Sequence, residues 1–93
     1  MERKEILEAA EKCVCGDRDK DYGNPERSFA VIASFWTDYF MGKGQKVLIT
    51  AHDVAAMMVL LKVGRNATGV DKLDNWVDIA GYAACGGELV LDS

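Results

Sequence analysis

Three groups of side chains in this sequence could do chemistry. Arg18, Lys20 and Tyr22 fall between Cys15 and Gly23, a polar stretch bounded by glycines. Such a loop can approach an anion, with the two cations pairing to phosphate and the phenol stacking or hydrogen bonding. Lys62 and Arg65 form the second group, three residues apart in an otherwise apolar segment. The third is Asp74, Asn75, Asp78 and Tyr82. Residues three or four apart share one side of a helix, so the Asp74–Asp78 and Asn75–Asp78 pairs can aim at a common point. Magnesium takes one or two protein carboxylates together with water and substrate phosphates, so Asp53, Asp74 and Asp78 would suffice for a metal site if they converged. Asp17-x-Asp19-x-Asp21 looks like the start of a calcium loop. Tyr22 stands where that loop needs glycine, Ser28 stands where it needs a bidentate acid, and Arg18 and Lys20 oppose a cation. His52 has no serine or cysteine arranged to make a nucleophile and base.

Four helices must position these groups. Ile6, Leu7, Ala9, Ala10 and Val14 recur at helical spacing among Glu2, Glu5, Glu8 and Glu11, which predicts an amphipathic helix over 1–14. Asn24-Pro25 is a helix start, because asparagine accepts from orphan N–H groups and proline has its φ already set. Phe29, Ile32, Phe35, Trp36, Tyr39 and Phe40 then lay an aromatic stripe along the second helix, and the Gly42–Gly44 region ends it. Thr50 and Asp53 have the spacing of a capping box and open a third helix. Its apolar arc (Val54, Met57, Met58, Val59, Leu60, Leu61) is wide enough to predict burial on most of its circumference. Arg65 on that buried side needs a partner, since an unpaired buried guanidinium is costly. Its partner is expected to be Asp74 or Asp78 in a structural bridge, or the phosphate of a ligand, with the bridge favoured for Arg65 and the ligand for Lys62. Residues 66–70 read as a turn, with Asp71 capping a fourth helix whose stripe is Leu73, Trp76, Val77, Ala80 and Ala84. Gly86-Gly87 is expected to stop or bend it.

Composition bounds the rest. Ninety-three residues make one domain, 1–93, and a two-domain enzyme is excluded. Eleven Lys+Arg against fifteen Asp+Glu give a net charge of −4, so the general pull of a basic protein on nucleic acid is missing. An apolar content of 49% with two Trp, three Tyr, three Phe and four Met exceeds what so short a monomer needs, which predicts a homo-oligomer with an apolar interface. Three cysteines, an odd number without a leader before them, suit a reducing cytoplasm. The longest apolar stretch, Val54 to Leu61, is far short of the roughly 20 residues a membrane span needs.

Several motifs together resemble a known family. Asp17-Arg18-x-x-x-Tyr22-Gly23-x-Pro25, Phe29-x-x-Ile32-x-x-x-Trp36, Asp53-Val54-x-x-Met57-x-x-x-Leu61-Lys62-x-x-Arg65 and Asp74-Asn75-x-x-Asp78-Ile79-x-Gly81-Tyr82 are similar to a small phage and prophage domain family of uncharacterised function. The likeness covers nearly the whole chain after the first helix. More distantly, the Asp-Asn-x-x-Asp-x-x-x-Tyr segment and the Tyr-Gly loop resemble nucleotide-modification-associated domains and the all-α nucleotide pyrophosphohydrolases of MazG type. That resemblance implies an all-α, four-helix, MazG-like bundle assembled as an oligomer. It also implies nucleoside triphosphate hydrolysis with Mg²⁺ held by a Glu-Glu-x-x-Glu helix and a Glu-x-x-Asp helix. Only Asn75-x-x-Asp78 fits the second motif, with an amide for its first carboxylate, and the first motif has no match.

Three functions therefore compete. The leading one is capture without turnover of a phosphate-bearing nucleotide or cyclic nucleotide signal by Arg18, Lys20, Tyr22, Lys62, Arg65, Asn75, Asp78 and Tyr82, with no cofactor. In a bacterial host's cytoplasm this resembles an anti-defence sponge. The second is an Mg²⁺-dependent pyrophosphohydrolase using Asp53, Asp74 and Asp78, in which Asp78 would be catalytic. The third is a protein interaction module working through the aromatic stripe.

Overall fold

The computed structural model of the chain describes residues 2–16 and 25–92. They form four α-helices and, among the described residues, no strand: α1 (Arg3–Cys15), α2 (Pro25–Gly42), α3 (Ala51–Thr68) and α4 (Leu73–Asp92). The all-α expectation holds.

Local signals account for most boundaries. The predicted capping box of α3 is present with both hydrogen bonds. The Asp53 amide donates to the Thr50 hydroxyl at 3.3 Å, and the Thr50 amide donates to Oδ2 of Asp53 at 2.9 Å. At the other end of α2, Gly44 adopts φ +80°, a left-handed conformation that glycine takes without a Cβ clash. The Gln45 amide reaches back to the Phe40 carbonyl and the Gly44 amide to that of Met41, both at 2.9 Å, which satisfies two orphan carbonyls in a Schellman closure. Thr37 then pins the following link, accepting from the Ile49 amide at 2.9 Å and donating to the Ile49 carbonyl at 3.3 Å.

Helix α4 is the centre of the assembly, packed along α3 and against α1, while α2 lies mainly on α3. The core joins Phe29 and Ala33 of α2, Val54 and Ala55 of α3, and Cys85 and Leu89 of α4, with Ile32, Trp36, Met58 and Tyr82 packed around it.

Several expectations need correction. Helix α4 runs through Gly86-Gly87 to Asp92. A Cβ at Gly86 would stand 3.2 Å from the Cβ of Ala55, so this glycine serves the close approach of α3 and α4 and does not break the helix. The buried side of α4 is Val77, Gly81, Cys85 and Leu89, rotated from the expected stripe, and Leu73, Trp76 and Ala84 are exposed. Helix α3 continues through residues 66–68, where a turn was expected. Asp71 does not open α4 as expected: its carboxylate accepts from the Trp76 indole at 2.6 Å. The aromatic stripe of α2 divides, with Phe29 buried and Phe35 and Tyr39 about two-thirds exposed. Helix α3 is buried along one side only: Leu60 is 65% exposed and Arg65 is exposed too.

Candidate functional site

Helices α1, α2, α3 and α4 enclose a cleft of about 250 Å³. Phe29 and Ile32 of α2, Met58 of α3 and Val77 of α4 give it apolar walls, and Gly81 forms part of the lining between α1 and α4. Gly81 allows a close approach of α1 and α4: a Cβ there would lie 3.1 Å from Cγ1 of Val14, which would have to give way by a few tenths of an ångström. The polar residues among the lining are few: Asp78 and Tyr82 of α4 and Ser28 of α2, with Cys13 and Cys85 beside them. Asp78 and Tyr82 are one helical turn apart, so they share a side of α4. The Tyr82 ring leans on Phe29 with centroids 6.2 Å apart and planes tilted by 37°, within the range of favourable aromatic pairs.

Asp78 has a partner the sequence did not single out for it. Lys62 Nζ lies 3.0 Å from Asp78 Oδ2, with the two side chains 18% and 25% exposed. Arg65, expected to make this bridge, is exposed and has no ion pair among the described residues. The two exchange roles because α3 presents Lys62 on its half-buried side toward α4. The bridge answers why an aspartate sits well inside α4, beyond the first turn where the helix dipole would favour it. At this partial burial the pair is less screened than a surface pair, and removing one partner leaves the other charge poorly compensated.

Asn75 is half-buried and engaged elsewhere: its side-chain amide donates to Oδ1 of Asn66 at 2.6 Å. The Asn66 amide nitrogen is buried without a hydrogen-bond partner among the described residues. The carboxylates proposed for Mg²⁺ do not converge. Asp53 is exposed and spent on the Thr50 cap, Asp74 is exposed in the first turn of α4, and Asp78 pairs with Lys62. Among the described residues no three His, Cys, Asp or Glu side chains stand close enough to hold a metal ion. The expected site on Asp53, Asp74 and Asp78 is thus not formed within this chain. Arg18, Lys20 and Tyr22 lie outside the described residues.

Of the sequence-predicted set, then, the structure places Asp78 and Tyr82 in the cleft lining, pairs Lys62 with Asp78 from outside it, and leaves Asn75 and Arg65 apart from both. Sequence reading missed Cys13, Ser28, Met58, Gly81 and Cys85 as lining residues. The available signal was the spacing Val77, Gly81, Cys85, Leu89, a four-residue repeat with a glycine in it, which marks a close helix approach beside a cavity.

The fold and cleft define a small all-α domain with a largely apolar pocket whose one charged lining residue, Asp78, pairs with Lys62. Residues 5–90 match the family described as a domain of unknown function (DUF6378), and the chain belongs to that family. It is 38% identical over 81 residues to the Gene 55 protein of Mycobacterium phage D29, covering 86% of this chain and 50% of that protein. It is 42% identical over 78 residues to the Gene 55 protein of Mycobacterium phage L5, covering 84% of this chain and 47% of that protein. The chain thus spans about half the length of these phage relatives. No solved structure matches it. Among the described residues no helix is long and apolar enough to cross a membrane.

Proposed function

We propose that the domain captures a phosphate-bearing nucleotide or cyclic nucleotide signal without turning it over, with one base seated in the cleft. The observation that carries this reading is the cleft's composition: apolar and aromatic walls with Asp78 and Tyr82 among its few polar residues, and Asp78 held by Lys62 from outside the lining. Small-molecule sites are built this way, apolar in the main with a small number of placed polar groups. A cleft of about 250 Å³ falls just under the roughly 300–1,000 Å³ of drug-sized sites. It suits one base, with sugar and phosphate toward the mouth. A carboxylate has about four lone-pair sites, so Asp78 retains accepting capacity beyond Lys62 for an amino group or ring N–H of the base. Lys62 supplies positive charge next to the lining residue Asp78, and Arg18 and Lys20 belong to the segment that joins the α1 and α2 walls in sequence.

The likeness of Asn75-x-x-Asp78 to the Glu-x-x-Asp helix of MazG-type proteins supports a nucleotide as the guest. Dispersal of Asp53, Asp74 and Asp78 favours sequestration over hydrolysis, because triphosphate cleavage relies on carboxylates gathered around metal ions. In an infected cell the activity amounts to an anti-defence sponge in the host cytoplasm.

The test is calorimetry of the purified chain against mononucleotides and cyclic di- and trinucleotides, followed by denaturation and mass analysis of the recovered ligand. Saturable binding with the ligand recovered intact supports the reading. Release of pyrophosphate would instead establish an enzyme, and absence of heat across the panel would overturn capture.

A further inference from the structure

Asp78 is the one charged residue among those lining the cleft, and only one of its oxygens is in use. Lys62 Nζ lies 3.0 Å from Oδ2 and comes from α3, outside the lining. Among the described residues Oδ1 has no hydrogen-bond partner, and neither has the Tyr82 hydroxyl one turn further along α4. Both atoms can still be reached: the fully buried polar side-chain atom that lacks a partner among the described residues is the amide nitrogen of Asn66. The Lys62 pair also holds the carboxylate in place before a guest arrives, which lowers the ordering cost of binding.

A carboxylate accepts hydrogen bonds and cannot donate one, whereas a phenol does either. The apolar walls leave a base's polar edge to the few polar residues of the lining, since an unpaired polar group moved out of water is costly. The base edges differ in what they show a carboxylate. Adenine and cytosine each present one amino donor beside a ring nitrogen that accepts, and uracil presents one ring N–H between two carbonyls. In all three a lone pair is set against the negative charge. Guanine presents an amino group and a ring N–H side by side, a pair of donors that one carboxylate can take together, followed by a carbonyl that accepts.

We infer that the guest carries guanine and that Asp78 is the residue that selects it. Oδ1 and the remaining lone pair of Oδ2 accept from the guanine ring N–H and amino group, and the Tyr82 hydroxyl donates to the neighbouring carbonyl. Lys62 acts through Asp78 as a positioning residue. This inference rests on the capture reading above and names the base that the cleft takes.

Calorimetry of the full chain against two matched series tests it: mononucleotides of guanine, hypoxanthine, adenine, cytosine and uracil, and cyclic dinucleotides built from each of these bases alone. In whichever series binds, guanine is expected to bind at least about tenfold more tightly than adenine, cytosine or uracil, as one bidentate base contact does. Hypoxanthine keeps the ring N–H but lacks the amino group, and is expected to bind at least about fivefold more weakly than guanine. Asp78→Asn sets an amide donor against the guanine amino group. It is expected to reverse the order of guanine and xanthine nucleotides, because xanthine carries a carbonyl at that position. Should Asp78→Asn fail to fold, the hypoxanthine comparison on the wild type decides alone. A base bound as tightly as guanine, hypoxanthine included, overturns the guanine assignment while leaving capture standing, as it would if Asp78 held the ribose that every member shares. An Asp78→Asn chain that keeps the wild-type order does the same. No binding in either series overturns the capture reading and this inference together.

Discussion

Replacing Asp78 with asparagine removes the charge from the cleft wall while keeping the shape of the side chain. The magnitude follows from burial. Exposed ion pairs contribute about 0.2–1 kcal/mol, whereas breaking a fully buried pair costs about 3–5 kcal/mol. With Lys62 and Asp78 at 18% and 25% exposure and 3.0 Å apart, the loss belongs between these limits, at about 1–3 kcal/mol. For a domain of this size each kcal/mol moves Tm by about 4–8 °C, so Asp78→Asn should melt roughly 5–20 °C lower. Most of that penalty is the ammonium left without its counter-charge, and Lys62→Met in the same chain removes it. The double variant should therefore recover part of the loss, with a coupling energy of about 1–2 kcal/mol in a double-mutant cycle. Urea unfolding of the wild type, both single variants and the double variant supplies the four free energies, each at a fixed chain concentration because association would shift them. Single variants within about 0.3 kcal/mol of the wild type and strictly additive in the double would refute the idea that this pair matters to the cleft.

Three further substitutions probe other parts of the account. Gly81→Val places a branched side chain where a Cβ already meets Val14 at 3.1 Å; unfolding should show a loss of about 1–3 kcal/mol from overpacking, and nucleotide binding should fall with it. Thr37→Val deletes both hydrogen bonds to Ile49, a loss of about 1–3 kcal/mol in urea unfolding with faster amide exchange at Ile49. Thr50→Ala removes the hydroxyl that caps α3 and should cost about 0.5–2 kcal/mol, with hydrogen exchange rising first at the Asp53 amide.

How far the sequence was readable varies with the range of the physics involved. The Thr50–Asp53 cap and the Gly44 closure are local, set by side chains within a few residues, and both appear as expected. The fate of Gly86-Gly87 was not local: glycine pairs break isolated helices, and only the approach of Ala55 from α3 shows that one is instead a packing contact. The same holds for the charges. Helical spacing put Lys62 and Arg65 on α3 and Asp78 on α4, but the crossing of the two helices decides which cation meets the carboxylate, and it selected Lys62. The stripe of α4 was misread by a rotation because hydropathy weighs Trp76 and Leu73 above Gly81 and Cys85, whereas packing at a close helix contact favours the small side chains. The cleft is a property of four helices together, which no single helix pattern encodes, and this is why Asp78 and Tyr82 were readable as polar oddities while Met58 and Ser28 were not.

The methionines allow the most direct test of the claim that the cleft receives a nucleotide base. Met58 lines the cleft, whereas Met41 is 54% and Met57 39% exposed. In a chain labelled with ¹³C at methionine methyl groups, titration with the nucleotide that binds best should shift the Met58 resonance saturably and leave Met41 unmoved, with Asp78→Asn weakening the titration. A ligand that binds while the Met58 signal stays still would contradict the account, since the guest would then be held somewhere other than this cleft.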